Sequence, residues 1–116
     1  MYDDNNIFSK ILRGEVDCNK FYEDDYSLFF YDISPQAKIH ILGIPKSPCV
    51  DFYDFISNSD SETSSSFFKS VNKVIEKLKV KENGFRIITN SGQHGGQEVP
   101  HFHIHILAGE KMGRLR

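Results

Sequence analysis

The chain has 116 residues, of which 39% are hydrophobic and 26% are charged, as expected for one globular domain spanning residues 1–116. Its formal net charge of −2 excludes a general attraction to nucleic acid or to an anionic membrane surface, so we expect neither as a partner. The acidic N-terminus lacks a signal-peptide pattern, and no apolar run approaches the ~20 residues of a membrane span, which together predict a cytoplasmic protein.

Cysteine usage does not indicate a zinc knot or a redox pair. The two cysteines, Cys18 and Cys49, are far apart in the sequence, and neither belongs to a CxxC motif. A disulfide between them is compatible with the sequence, but free thiols in a reducing compartment are the favoured interpretation.

The first part of the chain contains patterns for one short helix and three strands. Apolar residues with the spacing of a helix face occupy residues 7–12, and Gly14 provides a C-terminal stop. Aromatic-rich runs at residues 20–23 and 27–31, separated by a polar turn, predict a β-hairpin. Residues 40–45 predict a buried strand that ends at its proline.

The middle of the chain predicts helical structure. Residues 51–56 fit a helical turn, and Ser59 with Glu62 has the capping-box spacing of a helix N-terminus. From there, apolar residues follow the 3.6-residue period as far as Leu78. This pattern predicts one long helix over residues 59–79.

Two further strands are predicted near the C-terminus, over residues 85–89 and 102–107. The resulting order is three strands, a helix and two strands, with hairpin-like connections. This order predicts an α+β fold in which helices cover one face of an antiparallel sheet.

Three histidines alternate with apolar residues in the last predicted strand. Because alternate strand residues share a face, His101, His103 and His105 stand side by side, and the residues between them point into the core. Such a row favours a metal site, or nucleophilic and proton-transfer chemistry, over an ordinary polar surface. A metal site needs further ligands, for which the candidates are His40, His94, Glu98 and Asp32.

A glycine-rich loop, residues 91–97, precedes the histidines. Its glycines, Gly92, Gly95 and Gly96, allow backbone N–H groups to turn inward, an arrangement that binds phosphate oxygens. A simple wide turn is the alternative interpretation. An anion cradle beside imidazole groups points to nucleophilic attack on phosphorus.

The segment His101-Phe-His103-Ile-His105-Ile-Leu resembles the signature of the histidine-triad superfamily. The similarity extends over nearly the whole chain and is greatest to the nucleotide-binding phosphoramidase branch. The segments that carry it are Ile7-Phe-Ser-Lys-Ile-Leu, Glu23-Asp-Asp, Asp32-Ile-Ser-Pro-Gln-Ala, Ile44-Pro-Lys and Gly95-Gly-Gln-Glu-Val.

This resemblance implies a role for each histidine. His103 is the expected nucleophile, which attacks the α-phosphorus of a purine nucleotide derivative. His105 is expected to contact the phosphate and manage protons, and His101 and His40 to orient the nucleophile. Because this branch works without a metal, the resemblance implies neither a metal nor a cofactor.

The resemblance also implies a set of nucleotide contacts. Asp32 is expected to bind the ribose, and an apolar slot is expected to hold the purine, although Ile11 and Phe30 fit a core role equally well. Glu98 stands where some relatives carry a serine close to the leaving group. The slot residues are Ile7, Phe8, Ile11, Phe30 and Ile33, and the phosphate contacts are Asn90, Gly96, Gln97, Glu98 and Val99.

The family fold is a five-stranded antiparallel sheet with one long and one short helix, and two such sheets join into one continuous sheet in a homodimer. We therefore expect an interface formed by residues 59–79 and 86–90. The expected activity is a purine nucleoside 5′-phosphoramidase that releases AMP or GMP through a covalent nucleotidyl-histidine. The alternatives are a dinucleoside polyphosphate hydrolase and a nucleotide-binding interaction module.

Overall fold

Five antiparallel strands form the centre of the protein, whose computed structural model describes residues 1–114. The last two residues of the predicted 1–116 domain lie outside the described residues. The sheet has the order β1-β2-β3-β5-β4, which confirms the predicted five-stranded antiparallel arrangement and its N-terminal hairpin. The strands are β1 (Lys20–Glu23), β2 (Ser27–Tyr31), β3 (Ile39–Pro45), β4 (Arg86–Ile88) and β5 (Ile104–Ala108).

Three helices accompany the sheet, α1 (Ile7–Leu12), α2 (Phe52–Asn58) and α3 (Ser61–Leu78), so the structure has two short helices rather than one. The predicted N-cap of the long helix is wrong by one residue. Asp60, not Ser59, accepts the capping hydrogen bond, from the N–H of Thr63 at 2.7 Å. Ser59 instead ends α2, because its N–H donates to the carbonyl of Phe55.

Helices cover both faces of the sheet, which corrects the prediction of a single covered face. On one face, α2 and α3 bury an apolar cluster that includes Phe29, Phe55 and Phe67. On the other, Phe8 of α1 packs against a second cluster that includes Phe30 and Leu42. The alternation of side chains along β2 and β3 divides the apolar residues between the two clusters.

Strand β5 begins at Ile104, two residues later than predicted. The N–H of His101 donates to the carbonyl of Val99 at 2.8 Å, and the N–H of Phe102 donates to that of Cys49 at 2.9 Å. These bonds hold the chain just after Pro100 against neighbouring loops instead of a strand. Of the three histidines of the motif, therefore, only His105 lies within a strand.

Both cysteines are free thiols, which confirms the favoured interpretation. Burial raises the pKa of Cys49 to about 12. Across residues 1–114, the helices are too short or too polar to traverse a lipid bilayer.

Candidate active site

The structure assigns the protons of His103 through a backbone contact. Its Nδ1 lies 2.7 Å from the carbonyl oxygen of His101, and a carbonyl only accepts, so Nδ1 carries the proton. The Nε2 lone pair is therefore free. Burial lowers the pKa of His103, against the smaller opposing effects of this hydrogen bond and of the carboxylates of Asp32 and Glu98. At neutral pH the imidazole is consequently a neutral base with an available nucleophilic nitrogen.

A chain of hydrogen bonds places the ring protons of His40 and His105 on Nε2, whereas the ring proton of His103 is on Nδ1. The N–H of Gln36 donates to His40 Nδ1 at 3.0 Å, so His40 carries its proton on Nε2. That nitrogen lies 2.9 Å from His105 Nδ1 and donates to it. His105 therefore carries its own proton on Nε2.

The His103 and His105 rings are adjacent, with centroids 5.3 Å apart. Burial lowers the pKa of His105 to about 4, helped by repulsion from His103 and His40 and opposed by Asp32. Burial also lowers the pKa of His40, again against Asp32, whose Oδ2 lies 3.5 Å from His40 Nε2. The cluster thus presents one free lone pair and one N–H group side by side, without net charge on the rings.

His101 has a different position from the other two histidines of the motif. Its side chain is fully buried at 0% exposure, and its Nε2 donates to the carbonyl of Pro45 at 2.9 Å. Its Nδ1 contacts the hydroxyl of Tyr2 at 2.6 Å. Burial lowers the pKa of His101 to about 4. The sequence pattern predicted His101 beside His103 on the same face. In the structure its ring is instead buried outside the cavity that His103 lines.

A small cavity of about 200 Å³ lies in front of His103 and His105. It brings together residues from α1, from the turn after β2, from β3, from the glycine-rich loop and its flanks, and from β5. Leu42 was not predicted, although its position two residues after His40 on one strand face is a usable signal. The lining residues are Phe8, Asp32, Leu42, Asn90, Gly96, Glu98, Val99, His103 and His105.

Most of the predicted apolar slot lies outside this cavity. Phe8 lines it and meets the His103 ring edge to face, with centroids 4.9 Å apart. Phe30 is a core residue at 4% exposure, and Ile11 packs against the same core. Ile7 and Ile33 lie on open surface, with 42% and 99% exposure.

The glycine-rich loop uses part of its hydrogen-bonding capacity internally. The N–H of Gly96 donates to the carbonyl of Gln93, and the N–H of Gln97 donates to that of Gly92, both at 3.1 Å. Within residues 1–114, the N–H groups of Glu98 and Val99 have no acceptor. Of the predicted phosphate contacts from Gly96 to Val99, these two therefore keep a backbone amide available for an anion.

The side chain of Gln97 braces the loop instead of facing the cavity. Its Nε2 donates to the carbonyls of Val50 and Val99 at 2.7 and 2.9 Å, and its Oε1 accepts from the N–H of Gly92 at 2.9 Å. Asn90 lines the cavity while its Nδ2 donates to the carbonyl of Gly95 at 2.7 Å. Of these two predicted phosphate ligands, the structure brings only Asn90 to the cavity.

One group of side chains could hold a metal ion. Single donor atoms of Asp32, His40 and His105 lie within 4.8 Å of one another. A metal ion there would have to replace the hydrogen bond between the two imidazoles. His94, another candidate ligand from the sequence, is exposed on the glycine-rich loop.

An antiparallel sheet that places neutral imidazoles beside a glycine-rich loop defines a histidine-triad protein. A family model for the HIT domain matches residues 13–112. A solved structure of a histidine triad protein from Clostridium difficile has a TM-score of 0.88 and 40% identity, and the match covers 100% of both chains. The chain therefore belongs to the HIT domain family, which confirms the resemblance drawn from the histidine motif.

Two relatives show how the family is named at this level of similarity. An uncharacterized HIT-like protein of Azospirillum brasilense is 45% identical over 114 residues, which are 98% of this chain and 93% of the relative. The purine nucleoside phosphoramidase of Escherichia coli (strain K12) is 39% identical over 109 residues, which are 94% of this chain and 91% of the relative.

Proposed function

We propose that this protein hydrolyses purine nucleoside 5′-phosphoramidates to AMP or GMP through a covalent nucleotidyl intermediate on His103. The observation that carries the proposal is the pairing of a free lone pair on His103 Nε2 with the N–H of His105 in one cavity. The name of the Escherichia coli relative supports the same substrate class.

In the first step, His103 Nε2 forms a bond to the α-phosphorus, and the phosphorus–nitrogen bond to the leaving amine breaks. The phosphate oxygens accept hydrogen bonds from the N–H groups of Glu98 and Val99 and from His105 Nε2. The departing nitrogen takes a proton from solvent, which we propose is relayed by the exposed carboxyl group of Glu98 at the cavity edge. In the second step, water attacks phosphorus and gives its proton to the same carboxyl group, the electron pair of the bond to phosphorus returns to His103 Nε2, and the nucleotide leaves.

The rest of the nucleotide extends away from the histidines. Asp32 lines the cavity next to His40 and provides carboxylate acceptors for the ribose hydroxyls. The cavity is smaller than the roughly 300–1,000 Å³ of most ligand sites. We therefore place the purine ring outside it, over the exposed apolar side chains of Ile7 and Ile33.

The decisive test is release of AMP from adenosine 5′-phosphoramidate in the presence of a chelator. The wild-type protein should hydrolyse it, His103→Ala should not, and His103→Ala should still bind AMP. His94→Ala is the matched control, because it removes an exposed imidazole from the loop and should leave turnover unchanged. Rapid quenching should give a peptide containing His103 with the mass of one added nucleotidyl group.

Three results would contradict this proposal. Folded wild-type protein that binds AMP but releases none from the phosphoramidate would exclude the phosphoramidase activity. Turnover of diadenosine polyphosphates alone would indicate a dinucleoside polyphosphate hydrolase. Activity lost on chelation and restored by a divalent metal would assign catalysis to the group formed by Asp32, His40 and His105.

We also propose that two copies of the chain form a homodimer through the free edge of β4 and the neighbouring surface of α3. Strand β4 is at one edge of the sheet, and Ile87 on it is 44% exposed. Phe68 of α3 and Phe85 are each 39% exposed. Light scattering after size-exclusion chromatography should give the mass of a dimer, and Ile87→Lys should shift it towards a monomer. A monomeric wild-type protein would contradict the interface.

A further inference from the structure

A group of polar side chains from the N-terminal segment surrounds the buried ring of His101. The hydroxyl of Tyr2 lies 2.6 Å from His101 Nδ1 and 2.6 Å from Ser9 Oγ. Asn6 Nδ2 donates to the same hydroxyl at 3.0 Å. Asn6, Ser9 and His101 are all buried, with 8%, 8% and 0% exposure. Tyr2 and Asn6 belong to none of the motifs found in the sequence.

The direction of each hydrogen bond in this group follows from counting donors and acceptors. His101 uses its Nε2 proton for the carbonyl of Pro45, and burial keeps the ring neutral, so its Nδ1 must accept. Tyr2 therefore donates its single proton to His101. The two lone pairs of the hydroxyl are left to accept from Asn6 Nδ2 and from Ser9 Oγ, which completes its hydrogen-bonding capacity.

The same group is connected to the nucleophile by two contacts. The backbone carbonyl of His101 accepts the Nδ1 proton of His103, and this bond leaves His103 Nε2 free. Phe8, which is next to Ser9 in α1, meets the rings of both His101 and His103 edge to face, at 6.3 and 4.9 Å. A displacement of the His101 ring therefore disturbs the two contacts that orient the His103 ring.

We propose that Tyr2 is a positioning residue for catalysis, which holds the His101 ring as its Nε2-protonated tautomer and, through the His101 backbone and Phe8, fixes the orientation of the His103 ring. The inference rests on the proposed function for its effect on turnover, but its effect on the histidine rings is independent of the substrate. Asn6 and Ser9 act through Tyr2, since they donate to its hydroxyl and leave its proton for His101.

The test compares Tyr2→Phe with Tyr26→Phe by ¹⁵N NMR of the histidine rings and by steady-state kinetics. Tyr2→Phe removes the hydroxyl but keeps the ring, which meets His101 edge to face at 5.6 Å. Tyr26→Phe also removes a hydroxyl, one that donates to Glu62 at 2.7 Å on the surface. We expect Tyr2→Phe to move the ring nitrogen signals of both His101 and His103, and Tyr26→Phe to move neither.

In the kinetic assay we expect Tyr2→Phe to lower kcat roughly tenfold, because small misplacements of a reacting group cost one to two orders of magnitude. KM should change by less than about twofold, since the cavity lining is intact. Ser9→Ala should have a smaller effect on kcat than Tyr2→Phe, because Tyr2 can still donate to His101. Equal losses in the two variants would overturn the assigned direction of these bonds.

The NMR measurement on the wild-type protein decides the inference even if a variant fails to fold. A His101 Nδ1 that carries a proton at neutral pH would overturn it, as would unchanged His103 signals in folded Tyr2→Phe. If the wild-type protein releases no AMP, the proposed function fails, whereas the ring nitrogen signals still test the positioning by Tyr2.

Discussion

His40 donates its Nε2 proton to Nδ1 of His105 across 2.9 Å, and the backbone N–H of Gln36 sets this direction by occupying the other ring nitrogen of His40. The consequence is that His105 presents an N–H group, not a lone pair, to the cavity that it shares with His103. Two neighbouring imidazoles of the same chemical type thereby have complementary functions, one as electron-pair donor and one as hydrogen-bond donor.

This relationship predicts different outcomes for two substitutions of His40. His40→Gln keeps an amide N–H near the position of His40 Nε2, whereas His40→Leu removes the donor to His105. We expect His40→Leu to lower kcat roughly a hundredfold, within the range for loss of one positioned hydrogen-bond donor to the transition state, and His40→Gln to retain more activity. Steady-state kinetics on adenosine 5′-phosphoramidate checks this. Equal activity in the two variants would show that the donated proton is not what His40 contributes.

The buried histidines predict a dependence of stability on pH. Burial lowers the pKa of His101 from its usual 6.5 to about 4, so between these values the unfolded chain binds a proton that the folded chain does not. The free energy of unfolding should therefore fall as the pH falls from about 6.5 to about 4, by up to about 1.4 kcal/mol per pH unit for this residue. His105 contributes in the same direction, because its pKa is also lowered to about 4.

Urea unfolding at several pH values within this window measures the slope. His101→Gln should reduce the slope, since it removes one group whose pKa is lowered by folding. NMR titration should show His101 neutral in the folded protein down to about pH 4. A slope that His101→Gln leaves unaltered would contradict the role of this residue.

The backbone of Gly43, in a central strand of the sheet, lies so close to the ring of Phe29 that adding one methyl group there should lower the stability of the fold. A Cβ on Gly43 would lie 2.4 Å from Cε2 of Phe29, whose ring stacks on that of Phe67 with centroids 6.1 Å apart. Gly43→Ala should lower the free energy of unfolding by about 1–3 kcal/mol, the usual cost of overpacking. Gly113→Ala is the control, since a Cβ there meets nothing within 4 Å. Chemical denaturation of both variants would contradict the prediction if their stabilities were equal.

The cap of α3 can be tested by substitutions at two adjacent residues. Asp60 accepts from the N–H of Thr63, and the backbone hydrogen bond of Ser59 belongs to the end of α2. Asp60→Ala should therefore lower the midpoint of thermal unfolding by a few degrees, and Ser59→Ala should have a smaller effect. The reverse order would support the capping box expected from the sequence.

The strands, the alternation of side-chain faces and the family could be predicted from the sequence. Period-two alternation correctly directed Phe102, Ile104 and Ile106 to the core, because side-chain direction in an extended chain depends only on position. The 3.6-residue period likewise predicted α3. The boundaries were less accurate. The N-cap depends on which of two adjacent polar side chains reaches the free N–H group, and the start of β5 depends on where its antiparallel partners β3 and β4 end.

The face that α1 covers, and the nitrogen of each histidine that carries a proton, depend on tertiary packing. The position of the ring proton on His105 is set by a contact with His40, which lies 65 residues earlier. That on His101 is set by contacts with Tyr2 and Pro45, which lie 99 and 56 residues earlier. A neutral imidazole has two tautomers of similar energy, and the acceptors and donors around it select one. These partners come together only when the sheet and α1 have packed, so their effect cannot be read from local spacing.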